Sequence, residues 1–225
     1  MKNEAILTKD DFALLSGSRL GANTVYQRLL VLRAAINAKL KKKEVEFSAV
    51  VAFPSISQNK DVRRAGWLGY LPPADRLIDA NTNPLVFQPS VSVLLMGEGN
   101  WRGEEPGLQV VLEFGDDRKC HPARNQFRKF INASDFLSLR FLGHDMALRL
   151  RGFADTTTVL DSASALDSFR NGGARRYDVE RHYIVLGRFY SIDEAASLGA
   201  HAVEEISERI RRLMMLLINF GSSLV

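Results

Sequence analysis

The chain has 225 residues, of which 46% are hydrophobic and 25% charged, and its formal net charge at pH 7 is +4. This balance is typical of a globular domain and argues against disorder as the dominant state. A single cysteine excludes an intramolecular disulfide and a multi-thiolate zinc site within one chain. The longest apolar run, LMMLLI at 213–218, is far shorter than the roughly 20 residues that cross a bilayer, so we expect a cytoplasmic protein.

The predicted elements begin with a helix from about residue 22 to residue 42. Apolar residues recur there every three or four positions, namely at Val25, Leu29, Leu32, Ile36 and Leu40. Strands are predicted next within EFSAVVAF, GWLGYL, SVSVLL and GLQVVLEF. The glycine-rich connection between the last two strands is typical of a hairpin with a long loop.

A strongly basic stretch, DDRKCHPARNQFRKF at 116–130, follows the last of these strands and runs into a predicted helix at about 122–132. Arg124 and Arg128 lie one helical turn apart on its outward face, and a solvated basic face is the ordinary explanation. Basic neighbours favour a reactive thiolate at Cys120. No orienting base accompanies that thiol, so we expect no catalytic role for it.

The second half of the chain alternates sharply in HDMALRLRGF, which predicts a strand with Arg149 and Arg151 on one face. The stretch TTTVLDSASALDSFRNGG is interpreted as a loop and a short helix, and RHYIVLGRFY as a further strand. In that strand Arg188 lies on the same side as Leu186. A larger basic patch forms only if Arg188 also shares the sheet face of Arg149.

The last element begins with Ser191 and Glu194, whose spacing predicts a capping box. Gly199 is expected to bend or break the helix that follows. The run Leu213–Ile218 is apolar around the helix, which indicates deep burial or coverage by another subunit. We therefore expect one α+β domain over 1–225, with 191–220 as a capped C-terminal helical segment. Its sheet, antiparallel or mixed, would have five to seven strands flanked by the long N-terminal and C-terminal helices.

Catalytic and metal chemistry have little support in the sequence. The histidines are scattered singly and show no H-E-x-x-H spacing, so we expect no metal and no cofactor. Glu113, Asp116 and Asp117 with Lys119 could form a magnesium-dependent nuclease site. Gly115 interrupts that strand, however, and the acidic pair is typical of a turn or a helix cap.

Nucleic-acid binding has the most dispersed support, because basic residues and aromatic residues occur near one another. Arginine and lysine contact phosphates, and an exposed aromatic face can stack on a base. The candidate residues are Arg149, Arg151, Arg188, Arg118, Lys119, Arg124, Arg128, Trp67, Tyr70 and Trp101. For Trp67 and Tyr70 the alternative is a position in the core or at its edge.

The chain resembles two known families in part. The closing stretch YIVLGRFYSIDEAASLGAHAVEEISERIRRLMMLL resembles the end of the YktB-like uncharacterised bacterial proteins, which implies a strand and a capped helix but no activity. The general plan, with VAFPSISQNKDVRRAGWLGYL, is similar to the N-terminal modified-DNA-reading domain of McrB-type restriction proteins. That likeness implies an aromatic pocket for a flipped base and carries over no individual residue.

The leading hypothesis is a non-enzymatic nucleic-acid-binding module of a bacterial or phage protein, with DNA and RNA both open. The alternative is an assembly subunit that oligomerises through Leu213–Ile218. A metal-dependent nuclease is the third hypothesis.

Overall fold

The computed structural model describes nine stretches of the chain. They are residues 6–15, 19–41, 48–50, 65–71, 90–100, 104–114, 146–152, 157–160 and 182–222.

Helices stand at both ends of the described chain, with strands between them. The N-terminal helices are α1 (Lys9–Leu15) and α2 (Arg19–Lys41). The strands are β1 (Ser48–Val50), β2 (Ala65–Leu71), β3 (Ser90–Met96), β4 (Gly107–Phe114), β5 (Ala147–Gly152), β6 (Thr157–Leu160) and β7 (His182–Ser191). The C-terminal elements are α3 (Ile192–Ser197), a 3₁₀ turn at Gly199–His201 and α4 (Ala202–Ser222).

The described strands are hydrogen-bonded in the order β1-β2-β3-β4-β7-β5-β6, and β5 runs antiparallel to both of its neighbours. This confirms the mixed helix-and-sheet class. The number of strands in the complete sheet stays a prediction, because residues 115–145 lie outside the described stretches.

The chain divides into two compact units. The first comprises Met1–Tyr70, Ser92–Val110 and Phe189–Arg211, and the second comprises Leu71–Val91, Val111–Arg188 and Arg212–Val225. The sequence indicates a single domain over 1–225, and that domain assignment stays a prediction.

Helix α2 packs its predicted apolar face into the first unit. The side chains at the predicted positions are at most 1% exposed, and they are Val25, Leu29, Leu32, Ile36 and Leu40. The helix lies against β2 so closely that a Cβ placed on Gly66 would approach Leu29 Cδ1 to 2.6 Å. The periodicity therefore predicts both the helix and the face that it buries.

Helix α1 is not predicted from the sequence, because only seven residues form it and these are too few to show a clear apolar period. Its start is fixed by Asp11, whose Oδ2 accepts hydrogen bonds from the Thr8 N–H at 2.8 Å and the Thr8 hydroxyl at 2.9 Å. The same carboxylate binds Arg28 of α2. A local cap and an interhelical ion pair thus hold this short helix in place.

The capping box that begins α3 is confirmed. Ser191 Oγ accepts from the Glu194 N–H at 3.2 Å, and Glu194 Oε2 accepts from the Ser191 N–H at 2.8 Å. The break at Gly199 is also confirmed, since φ is +50° there and a 3₁₀ turn separates α3 from α4. Both features follow from local chemistry and need no tertiary information.

Strand β6 corrects one expectation. The loop predicted at TTTVL is a strand over Thr157–Leu160, with Leu148, Arg149, Leu150 and Arg151 of β5 opposite its residues in antiparallel register. The stretch has no clear alternation of its own, so its conformation depends on backbone hydrogen bonds to a neighbour that sequence periodicity cannot show. Strand β3 is buried on both faces.

Helix α4 buries most of its C-terminal apolar run. Leu213, Met214, Leu216 and Leu217 are each at most 4% exposed in the single chain, whereas Met215 is 48% exposed. Burial within the chain therefore accounts for most of the run that sequence alone leaves open. Among the described residues, no helix is both long enough and apolar enough to cross a membrane.

Candidate nucleic-acid interface

The basic strand β5 lies between β7 and β6, which fixes the position of its two arginines. Arg149 is opposite Val185 of β7 on one side and Val159 of β6 on the other. Arg151 occupies the corresponding position two residues further along, opposite Tyr183 and Thr157. The backbone thus places both arginines on the central strand of a β7–β5–β6 set.

Residues directly opposite each other in an antiparallel pair share a face of the sheet. Arg149 consequently lies on the face of Val185, which is only 2% exposed, while the Arg149 side chain is half-buried. An arginine in that situation can lay its apolar stem along the sheet and present a forked set of N–H donors at its end. This arrangement suits bidentate binding of a phosphate or a carboxylate.

Arg188 does not lie on the face of Arg149. Leu148 is opposite Leu186, and Arg188 follows Leu186 by two residues in the same continuous strand. Side chains alternate along a strand, so Arg188 shares the face of Leu186 and Leu148. The condition for a joint Arg149–Arg188 patch is therefore not met, and binding of nucleic acid by Arg188 stays a prediction.

Trp67 of β2 is tied to the neighbouring strand. Its indole N–H donates a hydrogen bond of 2.7 Å to the hydroxyl of Ser92 on β3, and Ser92 is fully buried. The Trp67 ring is half-buried. This hydrogen bond gives Trp67 a structural role in the first unit, and a stacking role for it stays a prediction.

Tyr70 is fully buried, which corrects its candidacy as a stacking residue in this conformation. Its exposed fraction is 0%, so its ring presents no face on which a base could stack. Burial raises the pKa of the Tyr70 hydroxyl, and the charge of nearby Arg33 opposes this shift only partly. The core position that the sequence leaves as an alternative is the one that the structure shows.

Half of the candidate residues lie outside the described stretches. They are Trp101, Arg118, Lys119, Arg124 and Arg128. Cys120 lies outside them too, as do Asp116, Asp117 and Lys119 of the hypothetical nuclease site. Their roles stay predictions.

The part of the chain that the structure describes contains no candidate metal site. Nowhere in it does a group of three or more histidine, cysteine, aspartate or glutamate side chains lie so that it could hold an ion. Glu113 belongs to this part and is 9% exposed on β4.

A polar cluster at the connection between β3 and β4 is absent from the expectations. Asn100, 4% exposed, donates from Nδ2 to the carbonyl oxygens of Gly97 at 2.9 Å and Glu104 at 2.7 Å. Its Oδ1 accepts from the Glu104 N–H at 3.2 Å, and Gln109 Nε2 donates to the Glu104 carboxylate. The signal in the sequence is an asparagine within a glycine-rich connection, a residue type that often bonds to nearby backbone groups.

A second unexpected network joins β7 to α4. The Tyr190 hydroxyl donates to Glu205 Oε1 at 2.8 Å, and Arg209 Nε donates to the same oxygen at 2.8 Å. The spacing of Glu205 and Arg209 predicts their ion pair, but only the fold brings Tyr190 to it. Since these three groups bind one another, we assign the network to packing.

No protein-family model and no curated protein matches the chain.

Proposed function

We propose that the chain is a non-enzymatic nucleic-acid-binding module that contacts phosphates through the Arg149 face of the sheet. The observation that carries the proposal is the position of Arg149, a half-buried arginine on β5, a strand that is paired on both sides and places a valine opposite Arg149 on each neighbour. Arg151 stands two residues further along the same strand. Because a half-buried arginine side chain is already restricted in its motion, its guanidinium binds phosphate with a smaller entropy loss than a fully mobile side chain does.

The net charge of +4 supports the proposal, since a basic chain attracts polyanions and speeds their association. The basic stretch at 118–128 and Trp101 complete the proposed set of contacts. A sheet of five to seven strands and a cytoplasmic location belong to the same proposal. The likenesses to YktB-like proteins and to the McrB-type DNA-reading domain are compatible with it and contribute no binding residue.

The assembly alternative has narrower support. Met215 is the large apolar side chain that is exposed among the described residues, while four of its neighbours between 213 and 217 are buried in their own chain. A stable homodimer interface buries far more apolar surface than one methionine provides. The nuclease alternative gains no support from the described residues.

The test is fluorescence anisotropy of the purified chain with labelled single-stranded and duplex DNA and RNA, over a series of salt concentrations. We expect binding that weakens steeply with salt. On duplex DNA, the slope of log K against log salt should fall by roughly 0.9 for each phosphate that a variant no longer neutralises. The variants are Arg149→Gln and Arg151→Gln. Lys41→Gln removes an equal charge from the exposed end of α2 and serves as the matched control.

Two outcomes would overturn the proposal. One is the absence of binding to all four nucleic acids at low salt. The other is an equal loss of affinity in the Lys41 control and the Arg149 variant, which would reflect net charge and not a located phosphate site.

A further inference from the structure

We draw no further inference here: the strongest candidate, the buried carboxamide cluster of Asn100 and Gln109 at the connection between β3 and β4, hydrogen-bonds to its own connection, and nothing in the described part of the chain shows what ligand would meet it.

Discussion

Arg149 and Arg188 lie on opposite faces of the sheet. The register that places Arg149 opposite Val185 also places Leu148 opposite Leu186, and Arg188 alternates with Leu186. One face of a sheet is one surface, so a single rigid ligand lying on it reaches only one of these two arginines. Two basic residues on adjacent strands therefore do not form one patch here.

This relationship predicts that the two arginines contribute differently to nucleic-acid binding. If phosphates bind to the Arg149 face, Arg149→Gln should weaken binding by about 1 kcal/mol or more and reduce the salt slope. Arg188→Gln should change affinity only through the lower net charge, and its effect should vanish at high salt. Anisotropy titrations of both variants at low and high salt make the comparison. A larger effect of Arg188 at every salt concentration would place the interface on the other face.

The register also shows why sequence could not place these arginines relative to each other. Alternation assigns Arg149 and Arg151 to one face of their own strand, and Arg188 to one face of another. Whether two arginines on different strands share a sheet face depends on how the strands pair, here between residues almost 40 positions apart in the chain. A slip of one residue in that register would reverse the result. That information is contained in the sheet and not in either strand.

Local rules, by contrast, predicted several elements well. The apolar period of α2 and the capping box at Ser191 are each determined within a few turns of chain, and both are confirmed. The burial of Tyr70 stayed open because an aromatic residue near basic residues suits a core as well as a surface. Strand β6 was missed because it is stabilised by its neighbour β5 and has little pattern of its own.

Asp11 and Arg28, which form an ion pair, should be thermodynamically coupled. Asp11 is fully buried, and Arg28 Nε lies 2.8 Å from its Oδ1, although the Arg28 side chain is 45% exposed. Double-mutant cycles with Asp11→Asn and Arg28→Gln, followed by urea unfolding, should give a coupling energy of about 1 kcal/mol. This value is below that of a fully buried pair because solvent screens the arginine.

The matched control is the ion pair between Lys9 and Asp193, in which the two side chains are 66% and 79% exposed. The same cycle on that pair should show no measurable coupling, because solvent screens both charges and both side chains lose freedom when they pair. Equal coupling in the two pairs would contradict the importance that we assign to the burial of Asp11.

Gly107 and Gly199, two of the three described glycines with positive φ, should respond very differently to alanine. A Cβ on Gly107, where φ is +152°, would lie 2.1 Å from the backbone oxygen of Tyr190. A Cβ on Gly199, where φ is +50°, would meet nothing within 4 Å. Gly199→Ala should therefore destabilise by about 1 kcal/mol, the conformational cost alone. Gly107→Ala should cost more than about 2 kcal/mol, because a backbone atom must also move.

Urea unfolding of the two glycine variants compares these values on one scale. Circular dichroism of each folded variant checks that both begin from the same helix and strand content. A Gly107→Ala protein as stable as Gly199→Ala would show that β4 and the end of β7 can separate at little cost.

The buried hydroxyl of Tyr70 should make the stability of the protein fall at alkaline pH. Burial raises the pKa of Tyr70 above its ordinary value of 10.0, so near and above pH 10 the unfolded chain loses this proton while the folded chain keeps it. The unfolded state then binds fewer protons, and the free energy of unfolding decreases as pH rises. The stability that depends on a protonated Tyr70 is fully present below pH 10. Above pH 10 the free energy of unfolding falls progressively, by at most about 1.4 kcal/mol per pH unit.

Replacement of Tyr70 by phenylalanine isolates this contribution from the four other tyrosines of the chain, because they remain in both proteins. Urea unfolding of wild type and Tyr70→Phe between about pH 8 and pH 11 should show a stability difference that is constant at the lower pH values. Above about pH 10 the difference should shift in favour of the phenylalanine variant, which has no proton to lose. A difference that stays constant over the whole range would mean that Tyr70 ionises as readily in the folded chain as in the unfolded one, and so would contradict its placement in the core.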